Sequence, residues 1–186
     1  MASTSDFRTG MVLVLDGELY AINEFQHVKM GRGGAFVRTK LKHLQTGKAI
    51  EKTFRSGEKV EDARVIRRQM QYLYREGDLL MLMDHETYDQ IGAPSSLIQS
   101  GGEFLKEGEN VDVLTYNENP IGIEVPTFVE LEITETEPGL KGDTVSGATK
   151  KAVVETGGTV QVPLFLEEGD KIKIDTRTGE YIERVT

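Results

Sequence analysis

The stretch Met11-Val12-Leu13-Val14-Leu15-Asp16-Gly17-Glu18-Leu19-Tyr20-Ala21-Ile22 reads as a β-hairpin. Two apolar runs flank Asp-Gly, a pair that accepts the positive φ angles of a two-residue turn. Working outward, the same grammar recurs. Residues 36–42 (Phe-Val-Arg-Thr-Lys-Leu-Lys) alternate roughly, Gln45-Thr46-Gly47-Lys48 is a turn, and residues 50–54 resume the strand pattern until Ser56-Gly57-Glu58-Lys59 breaks it. Met70-Gln71-Tyr72-Leu73-Tyr74, Arg75-Glu76-Gly77-Asp78 and Leu79-Leu80-Met81-Leu82-Met83-Asp84 read as strand, turn and strand. Residues 88–98 read as a short helix or an irregular loop, Pro94 arguing against a long helix. Val111 to Tyr116, a turn at Asn117-Glu118-Asn119-Pro120, and residues 121–125 follow. In residues 128–134, Phe128, Leu131 and Ile133 are read as the apolar positions among Glu130, Glu132 and Thr134. Residues 152–154, 159–166, 171–175 and 180–182 complete the set, with Lys171-Ile172-Lys173-Ile174-Asp175 alternating cleanly.

No long amphipathic helix appears, and 20 glycines are spread among the short strands. Small barrels need such tight turns and bends. The expected fold class is all-β, as three small barrels of roughly 60 residues each, a size that is self-contained though marginal alone. The expected domains are residues 1–64, 65–126 and 127–186.

Composition narrows the function classes. Apolar residues make up 38% and charged residues 28% of the 186, as in soluble globular chains rather than disordered ones. No apolar run approaches the ~20 residues of a membrane span, and no signal-peptide core follows Met1, so a cytoplasmic protein without membrane contact is expected. The absence of Cys excludes disulfides and thiolate metal sites.

The net charge of -9 is unevenly placed. Residues 1–64 hold 11 Lys and Arg against 8 Asp and Glu; residues 65–126 hold 4 against 11; residues 127–186 hold 7 against 12. Only the first third should present itself broadly to phosphate. Its excess centres on Val28-Lys29-Met30-Gly31-Arg32-Gly33-Gly34-Ala35 and the strand leaving it, where Lys29, Arg32, Arg38, Lys40 and Lys42 meet no acidic residue.

Catalysis finds little support. His27, His43 and His85 are dispersed without metal-ligand spacing, and neither a Gly-x-Ser-x-Gly elbow nor a Walker-type loop occurs. No catalytic residue, metal or cofactor is expected, and a small all-β hydrolase is the enzyme alternative. Gly31-Arg32-Gly33-Gly34 resembles a phosphate cradle, but no amphipathic helix follows to supply an N-terminus. Two readings stay open for this loop. In one, Gly31, Gly33 and Gly34 let the backbone approach a partner while Arg32 projects its fork of donors toward phosphate, ribose or base edges. In the other, the loop is a flexible hairpin tip with a solubilising charge. The second unusual loop, residues 138–151, is rich in Gly, hydroxyls and Lys. It reads either as a plain connection or as a contact to RNA backbone and base edges.

Taken in order, these residues resemble the bacterial elongation factor P family over nearly the whole chain. The resemblance is carried by the tip at residues 27–35, Phe54-Arg55-Ser56-Gly57-Glu58-Lys59, Gln71-Tyr72-Leu73-Tyr74, Leu82-Met83-Asp84 and Glu124-Val125-Pro126. Most specific are Gly142-Asp143-Thr144, Lys150-Lys151-Ala152, Gly157, Val160-Gln161-Val162-Pro163 and Asp175-Thr176-Arg177-Thr178-Gly179-Glu180-Tyr181.

The resemblance implies an SH3-like (KOW-type) barrel followed by two OB-fold barrels in an L-shaped, tRNA-like arrangement. It implies a translation elongation factor, not an enzyme, that binds the 70S ribosome between the peptidyl-tRNA and exit sites. Such a factor stimulates peptide-bond formation and relieves stalling at consecutive prolines. Its implied partners are the ribosome, peptidyl-tRNA and ribosomal RNA, with the protein itself a monomer.

Carried onto this chain, Arg32 is the tip residue facing the acceptor end of peptidyl-tRNA, supported by Lys29, Gly31, Gly33 and Gly34. Arg32 is also the candidate modification site: it acts either bare, since Arg already supplies a charged planar head, or modified, in which case an Arg32-modifying enzyme is a further partner. Gly142, Asp143, Thr144 and Gly147 fall in the loop facing the exit-site codon. Tyr181 and Arg184 match C-terminal positions of ribosome engagement, and for Tyr181 packing in the barrel is the other reading.

The chain departs from the family pattern at Met30, where Pro is usual. It also has Gly147-Ala148 for Gly-Gly and Lys150-Lys151 for Lys-Pro. An elongation-factor-P-like paralogue is the alternative, against which Gly142-Asp143-Thr144 counts.

Overall fold

The computed structural model describes residues 1–29, 34–138 and 147–186. Its chain divides into two compact units, Met1–Arg68 with Val113–Gly122, and Gln69–Asp112 with Ile123–Thr186. Strands dominate, and the helical content among the described residues is three-residue 3-10 turns at Thr4–Asp6, Ser95–Leu97 and Gly102–Phe104.

The first sheet is built from β1 (Ala2–Ser3), β2 (Val12–Leu15), β3 (Glu18–Val28), β4 (Phe36–His43), β5 (Ala49–Arg55) and β6 (Lys59–Ala63), in the order β1-β6-β2-β3-β4-β5. The opening hairpin forms as read. Val12 pairs with Ala21 and Leu15 with Glu18, and the turn places Asp16 at φ 54° and Gly17 at φ 84°. Both angles are left-handed, as the mirror-image turns that match strand twist require.

The unbroken apolar run of β2 has a structural cause, because both faces of this hairpin are covered. Leu13 and Ile22 join Phe7, Val37, Leu41, Phe54 and Val60 in one core, where Phe7 and Phe54 meet edge to face at 5.4 Å. Val12 and Leu19 face the other way and pack with Ile121, Leu114 and Tyr116. Two polar residues are buried here without penalty. Thr4 Oγ1 accepts from Gly57 N at 2.8 Å, and Thr39 Oγ1 donates to Lys52 O at 2.7 Å.

The middle sheet comprises β7 (Ile66–Glu76), β8 (Leu79–Asp84), β9 (Gln90–Pro94), β10 (Asn110–Tyr116) and β11 (Asn119–Glu124), in the order β11-β10-β7-β8-β9. Residues 88–98 include the short helix expected there, as the 3-10 turn at Ser95–Leu97, but one correction applies: pairing with β8, from Leu79↔Pro94 to Met83↔Gln90, makes Gln90–Pro94 an edge strand, a position that tolerates Pro94.

The last sheet comprises β12 (Phe128–Thr136), β13 (Thr149–Val154), β14 (Thr159–Pro163), β15 (Lys171–Asp175) and β16 (Glu180–Val185), ordered β14-β13-β12-β15-β16. A second correction concerns β12. Val129, Leu131 and Ile133 line the core, whereas Phe128 is on the wet face with Glu130, under Lys173 Nζ at 5.4 Å from the ring centroid. Strict period-2 alternation puts 129, 131 and 133 on one side, and Phe128 is one step out of phase.

Phe104 is delivered from the 3-10 turn at Gly102–Phe104 into this last core, against Val129, Val154, Val160 and Ile174. Thr156 Oγ1 donates to Glu103 O at 2.7 Å, and Lys106 pairs with Glu155 at 2.9 Å. Burial pushes the Glu155 carboxyl up, but Lys106 and the Glu132 amide outweigh it, and the net shift is downward.

Candidate nucleic-acid interface

The tip is carried by two long strands. β3 and β4 pair from Tyr20↔His43 to Val28↔Phe36, with a bulge at Asn23 between the Ile22 and Glu24 pairs. Val37 and Leu41 anchor β4 in the core, so Arg38 and Lys40 face solvent. This fixed alternation turns a basic run into a basic face. Lys40 is neutralised locally by Glu24 at 2.8 Å, and that hydrogen bond and its charge raise the Lys40 pKa. Arg38 stands opposite the uncharged Gln26 and Thr53.

Lys29 is exposed at the end of β3, and Gly34 is exposed just before β4. A Cβ added at Gly34 would meet nothing within 4 Å, so the described fold itself does not demand glycine there. Arg32, Gly31 and Gly33 lie outside the described residues. The β4–β5 register adds a residue that the sequence reading of the tip omitted. Arg55 pairs with Phe36 and comes beside the base of the tip on its outer face. Only strand pairing could reveal this, because 19 positions separate the two residues in sequence.

In the second unit, Gly142, Asp143 and Thr144 fall outside the described residues. Gly147 adopts φ 94° with open space around it, so its backbone conformation selects glycine. Lys150 is buried and its Nζ donates to Glu137 O at 2.8 Å, tying together the two strands that enclose the loop. Lys151, one residue on, faces outward.

Tyr181 packs against the last core, and Arg184 Nη2 pairs with Asp170 Oδ1 at 2.7 Å. Asp175 receives a bidentate fork, Arg177 Nε to Oδ1 at 3.0 Å and Nη2 to Oδ2 at 2.6 Å, with Arg177 N also donating to Oδ1 at 2.9 Å. The Arg177 side chain holds the Asp175 carboxyl below its ordinary value, against the opposing effect of burial. Lys29 and Gly34 belong to the first unit; Gly147, Tyr181 and Arg184 belong to the second.

Among the described residues, no three His, Cys, Asp or Glu gather as a metal site, and no helix is long and apolar enough to cross a membrane.

Comparison with known proteins covers the chain in three consecutive segments. Residues 3–60 match the family model "Elongation factor P (EF-P) KOW-like domain", residues 65–123 match "Elongation factor P (EF-P) OB domain", and residues 129–184 match "Elongation factor P, C-terminal". The elongation factor P of Moorella thermoacetica is 57% identical over 184 residues, spanning 99% of this chain and 100% of that protein. The proteins of that name from Pelotomaculum thermopropionicum and Mycobacterium avium are each 54% identical over 100% of this chain, covering 100% and 99% of their own lengths.

Among solved structures, eukaryotic translation initiation factor 5A from Methanococcus jannaschii aligns with a TM-score of 0.53 at 24% identity, over 67% of this chain and 90% of that one. An initiation factor 5A family protein from Naegleria fowleri aligns with a TM-score of 0.52 at 18% identity, over 67% and 96%. At these identities the two structures speak for the fold alone.

Proposed function

The chain belongs to the elongation factor P family of translation factors, and on that premise we propose that it binds the ribosome between the peptidyl-tRNA and exit sites. There it stimulates peptide-bond formation and relieves stalling at consecutive prolines. The three matched segments act as three domains, at residues 1–64, 65–126 and 127–186. The protein works as a monomer in the cytoplasm, with the 70S ribosome, peptidyl-tRNA and ribosomal RNA as partners.

One observation supports this reading above the others. The β3–β4 register runs unbroken from Glu24↔Lys40 to Val28↔Phe36, so Lys29 and Gly34 stand at the end of a paired two-strand arm. Such an arm can present Arg32 and Lys29 to an anion without moving the core. Arg32 supplies a planar, permanently charged fork suited to phosphate and ribose. No residue need touch a reacting bond. Proline is a poorly oriented nucleophile and donor, and fixing the acceptor end of peptidyl-tRNA restores alignment, an effect of several kcal/mol in favourable cases. Gly142, Asp143, Thr144 and Gly147 face the exit-site codon, and Tyr181 and Arg184 support engagement. Arg32 is also the site where an enzyme would decorate the protein, and intact mass of native protein decides that point.

The test is reconstituted translation of a polyproline message. Arg32→Ala should abolish relief of stalling. Full relief by the variant would refute the role of the tip.

A further inference from the structure

Among the described residues, β5 is the outer strand of its sheet, and one side of its backbone has no strand beside it. The ladder to β4 fixes which groups face that side. His43 N donates to Lys48 O at 2.8 Å and Ser56 N donates to Ala35 O at 2.9 Å, and the register between them is unbroken. Leu41 with Ile50, Thr39 with Lys52 and Val37 with Phe54 are therefore the hydrogen-bonded pairs, and Ala49, Glu51 and Thr53 turn their N–H and C=O groups outward. Among the described residues no backbone bond reaches those outward groups, and each of residues 49–53 is exposed. The free edge stops at Arg55, whose N–H donates to Glu58 Oε2 at 2.8 Å and whose carbonyl accepts from Glu58 N at 3.0 Å.

The side chains along this edge select its partner. Ile50, Lys52 and Phe54 share one face by alternation; Ile50 is 39% exposed, and Lys52 Nζ lies 5.6 Å from the Phe54 ring centroid. Lys48 is exposed before the strand and Arg55 at its end, and neither they nor Lys52 form an ion pair among the described residues. Glu51 is the lone carboxylate in residues 48–55. Open edges take up further strands, with main-chain bonds giving affinity and alternate side chains giving selectivity. Lysine on an edge guards against indiscriminate pairing, and an acidic strand is what such a guard admits. A second copy of this chain does not fit. Antiparallel self-pairing centred on the free edge sets Glu51 against Glu51, and moving the centre by one residue sets Lys52 against Lys52 or Lys48 against Lys52. Like charges directly opposite are destabilising. Nucleic acid fits poorly as well, because phosphate only accepts and leaves the outward carbonyls unpaired.

We propose that β5 takes an extended acidic segment of a partner protein as an added antiparallel strand. The segment's backbone pairs with Ala49, Glu51 and Thr53. An apolar side chain covers Ile50, a carboxylate meets Lys52, and further carboxylates lie toward Lys48 and Arg55. The partner is a protein and the contact a backbone ladder, so the inference goes beyond the RNA contacts of the tip and does not depend on Arg32.

The full-length ¹⁵N-labelled protein is titrated with the end-blocked peptide Thr-Glu-Thr-Val-Glu-Glu, whose Val lies opposite Ile50 when its first Glu lies opposite Lys52. Three controls accompany it: the same peptide N-methylated at its second Thr and second Glu, a version with Lys for each Glu, and a single-stranded RNA hexamer. Shifts should centre on residues 48–54. Hydrogen exchange at the Ala49, Glu51 and Thr53 amides, fast in the free protein, should slow on binding. Lys52→Glu should weaken binding about fivefold, as one attractive cross-strand pair becomes repulsive. Glu51→Pro keeps the ladder to β4, because the N–H it removes faces outward. It also removes a repelling carboxylate, and it should nonetheless abolish binding. Thermal melts check that both variants fold, and the N-methylated peptide on the unaltered protein carries the test if Glu51→Pro does not.

Absent shifts, equal binding of the N-methylated or Lys-bearing peptide, unslowed exchange at Glu51 and Thr53, or RNA shifting the same amides as strongly would overturn the proposal. So would a dimer of the unliganded protein whose dilution shifts those amides. The polyproline assay with Arg32→Ala is read separately, so either idea can fail alone.

Discussion

Adding a single methyl group at Gly158 should destabilise the second unit by about 2–3 kcal/mol, the upper range for overpacking. A Cβ there would lie 2.7 Å from both Cδ1 and Cε1 of Phe104 and 3.0 Å from Glu103 O. Favourable carbon contacts begin near 3.5–4.0 Å, so the overlap with the ring is about 1 Å. Neither neighbour can yield. Phe104 is 1% exposed and enclosed by the last core, and Glu103 O is held by Thr156 Oγ1 at 2.7 Å. The backbone of Gly158 is not left-handed, so the cost is one of space and not of φ.

Phe104→Ala by itself should cost about 3–5 kcal/mol, as for buried aromatic truncations. The decisive comparison is the double variant. With the ring gone, Gly158→Ala meets only the carbonyl and should cost under about 1 kcal/mol, a coupling of the size seen for residues in contact. Urea unfolding followed by far-ultraviolet circular dichroism gives the free energies. Hydrogen exchange at Ala152, Val160 and Ile172 assigns them to the last sheet. An equal cost of Gly158→Ala in both backgrounds would refute the claim that Phe104 sets the space.

Three further outcomes follow from the structure. Val129→Ala should cost about 2 kcal/mol or more in denaturant unfolding, while Phe128→Ala should cost under about 1, because only Val129 is in the core. Thr4→Val should cost about 1 kcal/mol by removing the hydroxyl that accepts from the Gly57 N–H, measured by the same unfolding. The depressed Asp175 carboxyl stabilises the fold above its ordinary value of 3.8. That contribution is lost as pH falls through the lowered value, so melting curves of wild type and Arg177→Gln should differ at neutral pH and converge in acid below that range.

Much of the fold was legible because it rests on local rules. Asp16-Gly17 specifies its own turn, and the alternation of residues 36–42 and 171–175 specifies a face without knowledge of any partner. The errors fell where partners decide. Residues 88–98 carry no strong period of their own, and β8 makes a strand of Gln90–Pro94 by pairing with it. Phe128 looks like a core residue by size, yet the phase of Val129, Leu131 and Ile133 excludes it. The basic run at residues 29–42 was legible in the sequence. The place of Arg55 beside Phe36 was not, because it exists only through the β4–β5 register.

The sequence by itself determined the all-β class, the run of short strands and the concentration of basic charge at residues 29–42, since these follow from composition and period. Tertiary structure alone decided which side chains share a core. Phe104 lies in the middle third of the chain and fills the last barrel, and Leu114, Tyr116 and Ile121 close the second face of the first hairpin. Lys150 and Lys151 are identical neighbours in sequence, yet one is buried as a strap to Glu137 and the other faces outward. The reason is physical: a residue's period fixes the face on which it lies, but what covers that face depends on segments dozens of residues away.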